Sequence, residues 1–471
     1  MIKPFIVSCY ELGRPPSGAA SPLAWLKRAG FAAEGVDLSV DSVTDERLSE
    51  ADFIGLSTPM HTALALGIRF ARRARKANPS VRICFFGLYG HLHRERLLEG
   101  DADFTIGGEF EEALVALAEN LDKGGSGDVS GVSRKGKEAE AIRKSLDHPV
   151  ADRAAFGALS RYAKLDYGGK RIAGYTEATR GCKHVCAHCP VTPVYDGKFF
   201  VVPTETVIED VRRQVEAGAE HISFGDPDFL NGPAHARRVV EALNAEFPEL
   251  TFDFTAKIEH LIACGNLLPF FSDAGCLFIV SAVESLSAEV LKNLKKGHSR
   301  SDVERALAAL KAAGICMRPS LVSFTPWTTL DDFIEMLQWT DENGLSRNID
   351  PVHFAIRLLV PPGSPLATDP AMTPYLNGLQ EDGLSLRWNH PDPAMDRLQI
   401  EVMAEVQRGQ QSGEDAPKLL GRIRERALAL KEGRAPSESP LSMSNHADVS
   451  PRLTETWFCC AEPTEAQLSG I

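Results

Sequence analysis

"GCKHVCAHCP", residues 181–190, places three cysteines within eight residues, at Cys182, Cys186 and Cys189. The stretch follows a candidate strand, "RIAGYTEAT", at the start of a series in which strands and helices alternate. Such alternation predicts a parallel sheet covered by helices, and the loops after its strands are where sites form. The three thiols are therefore expected at the mouth of a β/α fold.

Composition narrows the class of protein. The chain has 471 residues, of which 44% are hydrophobic and 24% charged, and its net charge is −13. These values are typical of a globular protein with two or three domains, and the negative charge disfavours nucleic acid or an anionic membrane as partner. No apolar run is long enough to span a bilayer and no signal-peptide pattern is present, so we expect a cytoplasmic protein.

The predicted fold class is α/β. Residues 1–122 alternate strands such as "PFIVSC" and "VRICFFG" with helices, which predicts a Rossmann-like parallel sheet. Residues 123–165 are Gly/Ser-rich and then charged, and are interpreted as a linker. Six strand candidates, from "RIAGYTEAT" to "VHFAIRLLV", predict a partial (β/α)6 barrel over residues 166–370. Residues 371–471 are predicted to form a helical region and a tail.

The cysteines divide into clustered and scattered groups. Clustered thiols in a reducing compartment indicate metal or redox chemistry. Three thiolates on one loop can hold three irons of a [4Fe–4S] cluster and leave the fourth iron open. The alternative is a zinc site completed by His184 or His188, although no second CxxC is present. Five cysteines in apolar stretches are interpreted as buried packing residues: Cys9, Cys84, Cys264, Cys276 and Cys316.

The stretch "TRGCKHVCAHCP" resembles the CxxxCxxC signature of radical S-adenosylmethionine (SAM) enzymes. The resemblance extends over roughly residues 170–370. It implies that Cys182, Cys186 and Cys189 bind a [4Fe–4S] cluster and that SAM occupies the open iron. It also implies a small-molecule substrate and an external electron donor such as flavodoxin or ferredoxin. His188 departs from the pattern, because the family usually has an aromatic residue there, near adenine; an imidazole can also stack.

Further cofactor-binding candidates follow from the same resemblance. "FGDPDFLNG" stands where relatives carry a Gly-Gly-Glu segment that touches the SAM amino group, and "VSAVESLSAEVLKNLKKGHS" resembles the segment whose glutamate approaches the ribose or amino group. Arginines on the fifth and sixth strands suit a carboxylate, with rim salt bridges as the alternative. With His188, the candidates are Gly225, Asp226, Asp228, Ser281, Glu284, Arg318, Ser320 and Arg357.

Residues 1–122 resemble the cobalamin-binding-like domain that precedes many radical SAM barrels, most closely in "DADFTIGGEFEEAL". The Asp-x-His-x-x-Gly segment that supplies a cobalt ligand in some cobalamin proteins is absent. Two interpretations stay open: the domain binds cobalamin, or it is purely structural or caps the substrate site. The loop residues nearest a corrin would be Ser57, Thr58 and Gly87. Three histidines are interpreted as surface residues: His61, His91 and His93.

The C-terminal stretch "WFCCAEP" contains adjacent thiols, Cys459 and Cys460, which we predict to be catalytic. It resembles the tail of a radical SAM subgroup ending in Cys-Cys-Ala-Glu-Pro, or the same with selenocysteine. The pair suits a redox relay or capture of a soft atom such as trivalent arsenic or selenium. The alternative is packing beside Trp457 and Phe458. A vicinal disulfide is strained, so we expect reduced thiols.

The sequence thus favours a radical SAM enzyme that cleaves SAM reductively and transforms a small molecule, with a dithiol tail. Two alternatives remain at this stage. One is a cobalamin-dependent radical SAM methyltransferase. The other is a non-catalytic iron–sulfur or metalloid sensor, which would leave SAM intact.

Overall fold

The computed structural model describes residues 2–437, 441–444 and 450–455. Two large sheets organise the chain, each with helices packed on it. Across the residues described, we find no helix with the length and apolar character needed to cross a bilayer.

The first sheet has six strands in the order β2-β1-β3-β4-β5-β6, and only β6 is antiparallel to its neighbour. Its strands are β1 (Pro4–Ser8), β2 (Glu34–Asp37), β3 (Phe53–Ser57), β4 (Arg82–Phe86), β5 (Phe104–Ile106) and β6 (Val132–Arg134). Its helices are α1 (Ser17–Arg28), α2 (Asp45–Ser49), α3 (His61–Ala77), α4 (Leu88–Leu92), α5 (Arg94–Leu98) and α6 (Glu111–Asp122). All five residues of β3 are buried, as in parallel sheets covered on both faces. The prediction of a Rossmann-like sheet is confirmed, and β6 shows that part of the predicted linker extends this sheet.

The second sheet has the order β14-β13-β12-β11-β8-β7-β17. The remaining strands are β7 (Lys164–Asp166), β8 (Lys170–Thr176), β9 (Thr179–Gly181), β10 (Phe199–Val201), β11 (His221–Phe224), β12 (Thr251–Ala256), β13 (Cys276–Glu284), β14 (Cys316–Leu321), β15 (Leu376–Leu379), β16 (Leu386–Trp388) and β17 (Arg452–Leu453). The remaining helices are α7 (Val191–Tyr195), α8 (Thr204–Glu216), α9 (Pro233–Glu246), α10 (Ile258–Ala263), α11 (Leu268–Asp273), α12 (Ala288–Asn293), α13 (Arg300–Ala312), α14 (Leu330–Glu342), α15 (Pro393–Ser412) and α16 (Ala416–Glu432). Strands β8 and β11–β14 are parallel and form a curled half-barrel.

The prediction of a sixth barrel strand at "VHFAIRLLV" is wrong. Pro351–Phe354 is a 3₁₀ helix, and the following residues contribute a single parallel bridge, between Phe324 and Arg357. Pro351 has no N–H to give to a ladder and suits the first turn of a helix, which explains the switch. Within the described residues the barrel therefore has five parallel strands.

Residues 450–455 connect the two open edges of this barrel. Strand β17 pairs with β7 at one edge, where Arg452 stands opposite Asp166. At the other edge Ser450 Oγ lies 3.2 Å from Cys316 Sγ, and Arg318 Nη1 donates to the Pro451 carbonyl at 3.4 Å. The C-terminal segment thus spans the gap between the first and last strands.

The prediction that three histidines of the N-terminal domain lie on the surface is wrong. His61, His91 and His93 are 0%, 7% and 2% exposed. The His93 ring nitrogens lie 3.1 Å from the Tyr89 carbonyl and 2.8 Å from the Leu384 carbonyl, so this ring joins the N-terminal sheet to the C-terminal region. Backbone acceptors of this kind make burial of a neutral imidazole tolerable.

The scattered cysteines behave as expected for packing residues. Cys9, Cys84, Cys264 and Cys276 are buried, and Cys316 is partly buried. Each lies in or beside an apolar strand or helix, and none belongs to a disulfide among the described residues. They are separated in sequence from the clustered thiols of residues 182–189.

The linker is fixed to both sheets. Gly108 adopts φ +76°, and a Cβ there would overlap the Ile142 carbonyl, so the linker backbone lies directly on the end of β5. Further along, the Arg153 guanidinium donates two hydrogen bonds of 2.8 Å each to Asp210 on α8. Both side chains are largely buried, which makes this pair a strong bidentate contact.

We predict that Arg153→Met destabilises the chain, because it leaves the Asp210 carboxylate buried without its cation. The free energy of unfolding should fall by about 3 kcal/mol, measured by chemical denaturation. Arg161→Met is the matched control: its pair with Asp41 is 43% and 38% exposed. That change should cost less than about 1 kcal/mol. Equal effects of the two substitutions would contradict the role given to the buried pair.

Candidate active site

The three clustered cysteines lie on a loop that a small hairpin holds in place. Strand β9 leads into the loop and β10 follows it, and the two pair antiparallel, with Gly181 opposite Phe199. Inside the loop the Ala187 N–H donates to the Leu294 carbonyl at 3.0 Å. The loop is therefore held by the β9–β10 hairpin and by the segment that follows β13.

The donor set suits an iron–sulfur cluster. Cys182 and Cys186 are 9% and 6% exposed, and Cys189 is partly buried. Burial raises the pKa of Cys182, and burial together with the two neighbouring thiols raises the pKa of Cys189 to about 12. The raised pKa values of Cys182 and Cys189 mean that positive charge, such as iron supplies, favours their thiolate forms. A [4Fe–4S] cluster held by Cys182, Cys186 and Cys189 fits these residues.

The histidines proposed as zinc ligands face other partners. His184 Nε2 lies 3.1 Å from His260 Nε2, and His188 Nε2 lies 3.4 Å from Glu284 Oε1. Neither contact involves one of the three thiols. The structure therefore gives no support to a zinc site completed by these two rings.

Glu284 ends β13 in a strained conformation, at φ +62° and beside a register shift in the ladder with β14. Its Oε1 lies 3.2 Å from the Lys296 ammonium, and both side chains are buried. Burial alone would raise the pKa of Glu284, but Lys296 and His188 bring it well below its usual range. The structure thus brings two predicted residues, His188 and Glu284, into contact. Glu284 also pairs with a buried cation, Lys296. Backbone strain at such a position is typical of functional sites.

Sequence reasoning missed Lys296. It lies in "LKKGHS", where nothing distinguishes it from its exposed neighbour Lys295. Burial lowers the pKa of Lys296, but Glu284 and then Cys186 raise it above its usual range. A buried, charged lysine beside the cysteine loop is suited to hold an anionic group of a bound ligand.

Gly225 and Asp226 shape the turn before the cysteine loop. A Cβ at position 225 would overlap the Tyr175 ring, so glycine is required there. The Asp226 carboxylate accepts hydrogen bonds from the Ala178 N–H at 3.0 Å and the Thr179 hydroxyl at 2.6 Å. Burial raises the pKa of Asp226 to about 7.

Asp228 is fully buried and fixed by two backbone N–H groups, those of Leu230 and Lys257. Its Oδ2 lies 2.7 Å from His260 Nδ1. His260 in turn faces His184 in the cysteine loop. Asp228 therefore connects to the loop through a histidine that the sequence did not single out.

The remaining candidates are engaged elsewhere. The Ser281 hydroxyl donates to the Ala256 carbonyl at 2.8 Å, and Ser320 Oγ lies 3.5 Å from the Ser281 carbonyl. Arg318 pairs with Asp350 at 2.9 Å, beside the segment at residues 450–451. Arg357 lies 3.5 Å from the Trp388 ring centroid and pairs with Asp396. Their assignment to SAM stays a prediction. Cys459 and Cys460 lie outside the described residues.

A cavity of about 260 Å³ separates the two sheets. Its walls come from the loops after β1, β3 and β4, including Ser57 and Gly87, and from Tyr175 and Glu177 of the barrel. Thr58 is not in the lining, and its hydroxyl donates to the Phe86 carbonyl at 2.8 Å. The cavity has the position of a corrin site but not the size, because even drug-sized ligands occupy about 300–1,000 Å³. A corrin bound here would therefore extend beyond the enclosed part of the cavity.

Charged groups of both signs border the same cavity. They are Glu11, Glu177, Arg14 and Arg180. Burial, and then the charge of Asp37, raises the pKa of Glu11 to about 8. Arg14 stacks on the Tyr175 ring at 5.2 Å from its centroid. Because Arg180 is paired with Glu177 at 3.2 Å, the groups left for a ligand are the Glu11 carboxyl, which is largely protonated near neutral pH, and the Arg14 guanidinium.

Fold and site together define an α/β protein with a three-cysteine loop at the carboxyl end of a half-barrel. The family model of the Radical SAM superfamily matches residues 176–340. This segment is a radical SAM domain, and radical SAM enzymes are among its homologues. The domain implies a [4Fe–4S] cluster and SAM as cofactors.

Solved structures share both sheets. The cobalamin-dependent SAM radical enzyme OxsB, with aqua-cobalamin and SAM bound, matches with a TM-score of 0.70 at 16% identity, over 92% of this chain and 72% of that chain. The radical SAM methyltransferase TsrM from Kitasatospora setae, with cobalamin and a [4Fe–4S] cluster bound, matches with a TM-score of 0.67 at 13% identity, over 92% and 100%. At these identities the likeness establishes the fold.

The alignments with curated relatives cover only part of each relative's length. The hopanoid C-3 methylase of Methylococcus capsulatus is 25% identical over 72% of this chain and 66% of its own length. The anaerobic magnesium-protoporphyrin IX monomethyl ester cyclase of Synechocystis sp. is 23% identical over 56% of this chain and 52% of its own length. The chain thus spans about half to two-thirds of these relatives.

We predict that Cys186→Ala prevents stable cluster assembly, because two thiolates cannot hold the cluster that three hold. After anaerobic reconstitution, iron should fall from about four per chain to below one. Cys264→Ala, which removes a buried thiol outside the loop, should leave the iron content unchanged. Retention of the full iron content by Cys186→Ala would contradict the ligand assignment.

We predict a pH effect from Asp226. Because its pKa is raised to about 7, its contribution to stability is fully present below its unfolded pKa and is lost as pH rises through 7. The free energy of unfolding of the wild type, relative to Asp226→Asn, should therefore fall between pH 4 and pH 8. Asp302→Asn is the control, because hydrogen bonds from Ser299 lower the pKa of Asp302 to about 2. Its difference from the wild type should stay constant over that range.

Proposed function

We propose that the chain is an enzyme that uses a [4Fe–4S] cluster to cleave SAM reductively and directs the resulting radical to a small molecule. The observation that carries this proposal is the set of three thiols on one loop, two buried and one partly buried, next to the buried Lys296–Glu284 pair. When bound, the cluster supplies the electron for SAM cleavage.

The residues around the loop would bind and orient SAM. Lys296 offers a buried positive charge for a carboxylate, and Glu284 offers a buried carboxylate for an amino or hydroxyl group. His188 lies beside Glu284, where its ring is available to a flat base. The strained backbone of Glu284 holds this set in place before a ligand arrives.

The substrate would occupy the cavity between the two sheets. That cavity opens beside the turn of residues 175–181, directly before the cysteine loop. The Glu11 carboxyl and the Arg14 guanidinium on its walls favour a polar small molecule, and the walls would exclude water from the radical. We place the enzyme in the cytoplasm, with a flavodoxin or ferredoxin as the electron donor.

The dithiol pair, Cys459 and Cys460, would bind a soft atom of the substrate or relay electrons. Support comes from the position of Glu455, the last residue that the structure describes. A Cβ on Gly13 would lie 3.1 Å from the Glu455 carboxylate, and the neighbouring Leu12 and Arg14 line the cavity. Cys459 and Cys460 follow Glu455 by four and five positions in the sequence. This closeness in sequence is the reason for proposing that the thiols act at the cavity.

The first experiment is a turnover assay of the reconstituted full chain with SAM and dithionite, read by mass spectrometry. We expect 5′-deoxyadenosine, and we expect it to disappear with Cys186→Ala but to persist with Cys264→Ala. Because Lys296 is proposed to hold a SAM carboxylate, Lys296→Met should raise the SAM concentration needed for half-maximal cleavage at least tenfold. SAM left intact by a fully loaded cluster would instead favour a sensor.

The tail is tested by metalloid binding. The reconstituted chain is equilibrated with arsenite, passed through gel filtration and analysed for arsenic. We expect one arsenic per chain, lost when Cys459→Ser and Cys460→Ser are combined, because vicinal thiolates chelate soft atoms. Cys316→Ser is the control and should retain arsenic. Equal binding with and without the tail cysteines would exclude metalloid capture by this pair.

A second candidate is cobalamin-dependent methyl transfer. It is favoured by the position of the cavity at the carboxyl ends of β1, β3 and β4, and by the fold shared with cobalamin-bound structures. It requires the cavity to widen. A corrin absorption spectrum after reconstitution with cobalamin, with S-adenosylhomocysteine as product, would support it over the first candidate.

A further inference from the structure

The cysteine loop has an exposed side as well as a buried one. Lys183 and Val185 stand between the first two thiols in sequence; Lys183 is exposed, and Val185 is 54% exposed. Because consecutive Cα atoms are about 3.8 Å apart, solvent reaches the chain one residue away from Cys186. A protein in contact with Val185 would therefore lie directly beside the cluster that the loop is proposed to hold.

A second exposed apolar side chain lies on the hairpin that holds the loop. Val201, at the end of β10, is 42% exposed. In the turn before β10, a Cβ on Gly197 would lie 3.6 Å from Val185 Cγ1, so this turn packs against the cysteine loop. Six large apolar side chains are exposed among the described residues, and two of them lie within residues 185–201. This concentration on one short segment is typical of an interaction site.

Two lysines accompany the exposed valines. Lys183 and Lys198 are both exposed, and within the described residues neither side chain has an ion-pair partner. Lys198 follows Gly197 in the turn that packs on the loop. The positive charge of Lys183 reaches Cys264, where it partly offsets the rise that burial causes in the pKa of that thiol. The exposed side of the loop thus presents free positive charge next to apolar surface.

The acidic groups near the loop do not cancel this charge. Glu259 pairs with the Lys257 ammonium at 2.5 Å and lies 3.6 Å from His184. Asp196, in the hairpin turn, is an exposed carboxylate. With Lys183 and Lys198 against Asp196, residues 181–201 have a net charge of +1, in a chain whose net charge is −13. An acidic protein is therefore repelled by the chain as a whole and less so by this segment.

We propose that this surface docks an acidic one-electron carrier protein of the flavodoxin class. Its residues are Lys183, Val185, Lys198 and Val201. The inference rests on the proposed function, because the electron is needed at a cluster on this loop. The carrier's reduced flavin loses one electron and becomes the semiquinone, the cluster gains that electron, and no bond forms or breaks.

The surface suits a transient complex of this kind. Weak redox encounters between proteins bury less than about 1,200 Å² in total, so a small patch is sufficient. Charge complementarity orients the two proteins and speeds their encounter, while the exposed valines supply the dry centre of the contact. The carrier is then released after one electron and replaced by another reduced copy.

The first measurement is flavodoxin binding to the cluster-loaded full chain, which needs no turnover. Oxidised flavodoxin is titrated into the wild type and into the combined variant Lys183→Glu and Lys198→Glu, and the dissociation constant is measured by calorimetry. Charge reversal should raise the dissociation constant at least about tenfold at low salt. The wild-type complex should weaken as salt rises, because salt screens exposed charges. Iron analysis should show the same cluster content in both proteins.

The matched control combines Lys3→Glu with Lys311→Glu, which changes the net charge by the same amount. Both lysines are exposed, and both precede strands, β1 and β14, so they lie at the amino ends of the sheets. The cysteine loop follows the carboxyl end of β8. The control should bind flavodoxin as the wild type does.

The apolar contact is tested separately. Val185→Ser should raise the dissociation constant by about three- to tenfold, because the contact loses apolar area. Ile400→Ser is the control, since Ile400 lies on α15 and is 66% exposed. It should leave the dissociation constant unchanged.

Turnover with two reductants separates docking from chemistry. With reduced flavodoxin, reversal of Lys183 and Lys198 should lower the rate of 5′-deoxyadenosine formation at least about tenfold. With dithionite, which needs no docking surface, the rate should equal that of the wild type. Dithionite that leaves SAM intact in the wild type would count against the proposed function, while the binding measurement still decides the docking surface.

Three results would overturn the docking proposal. The first is unchanged flavodoxin binding after reversal of Lys183 and Lys198. The second is an equal loss of binding in the control pair. The third is a wild-type dimer that the same reversal dissociates in gel filtration, which would assign the surface to a second copy of the chain.

Discussion

Three thiols buried on one loop cannot ionise together unless positive charge accompanies them. In this chain the loop carries Cys182, Cys186 and Cys189, and their environment holds the pKa of Cys182 and Cys189 above the usual range. In the proposed complex, the positive charge of the irons would stabilise the ionised thiols of the loop. The surrounding fold can be understood as the frame that keeps these thiols within reach of one cluster.

That frame draws on distant parts of the sequence. The hairpin of β9 and β10 closes the loop, the segment after β13 supplies the Leu294 carbonyl and the Lys296 cation, and Asp226 fixes the turn before it. Residues 450–455 connect the open edges of the half-barrel. The path of the chain therefore ends, within the described residues, beside the cavity between the two sheets. This arrangement makes the C-terminal region part of the site's architecture.

Several elements could be predicted because local pattern decides them. The alternation of apolar runs gave both parallel sheets, and the spacing of the cysteines gave the thiol loop. The sixth strand failed because Pro351 cannot donate to a ladder, although the apolar run after it matches a buried strand. Such a competition between residue pattern and backbone chemistry is not visible from hydrophobicity alone.

Other features could not be predicted because they depend on tertiary contacts. Lys296 is indistinguishable in sequence from exposed Lys295, yet burial against Glu284 makes it part of the site. His260 and His184 are 76 positions apart and meet only in the fold. Arg318 and Arg357 pair with Asp350 and Asp396, which matches the rim salt bridges kept open as the alternative, and their assignment to SAM stays a prediction. Charged residues at strand ends have several partners within reach, and the fold decides among them.

The most direct test of the central claim is Mössbauer spectroscopy of the chain reconstituted with ⁵⁷Fe, recorded with and without SAM. If three cysteines hold three irons and SAM takes the fourth, addition of SAM should change the isomer shift of one iron in four. The other three should stay as they were. Four equivalent irons that do not respond to SAM would contradict the account.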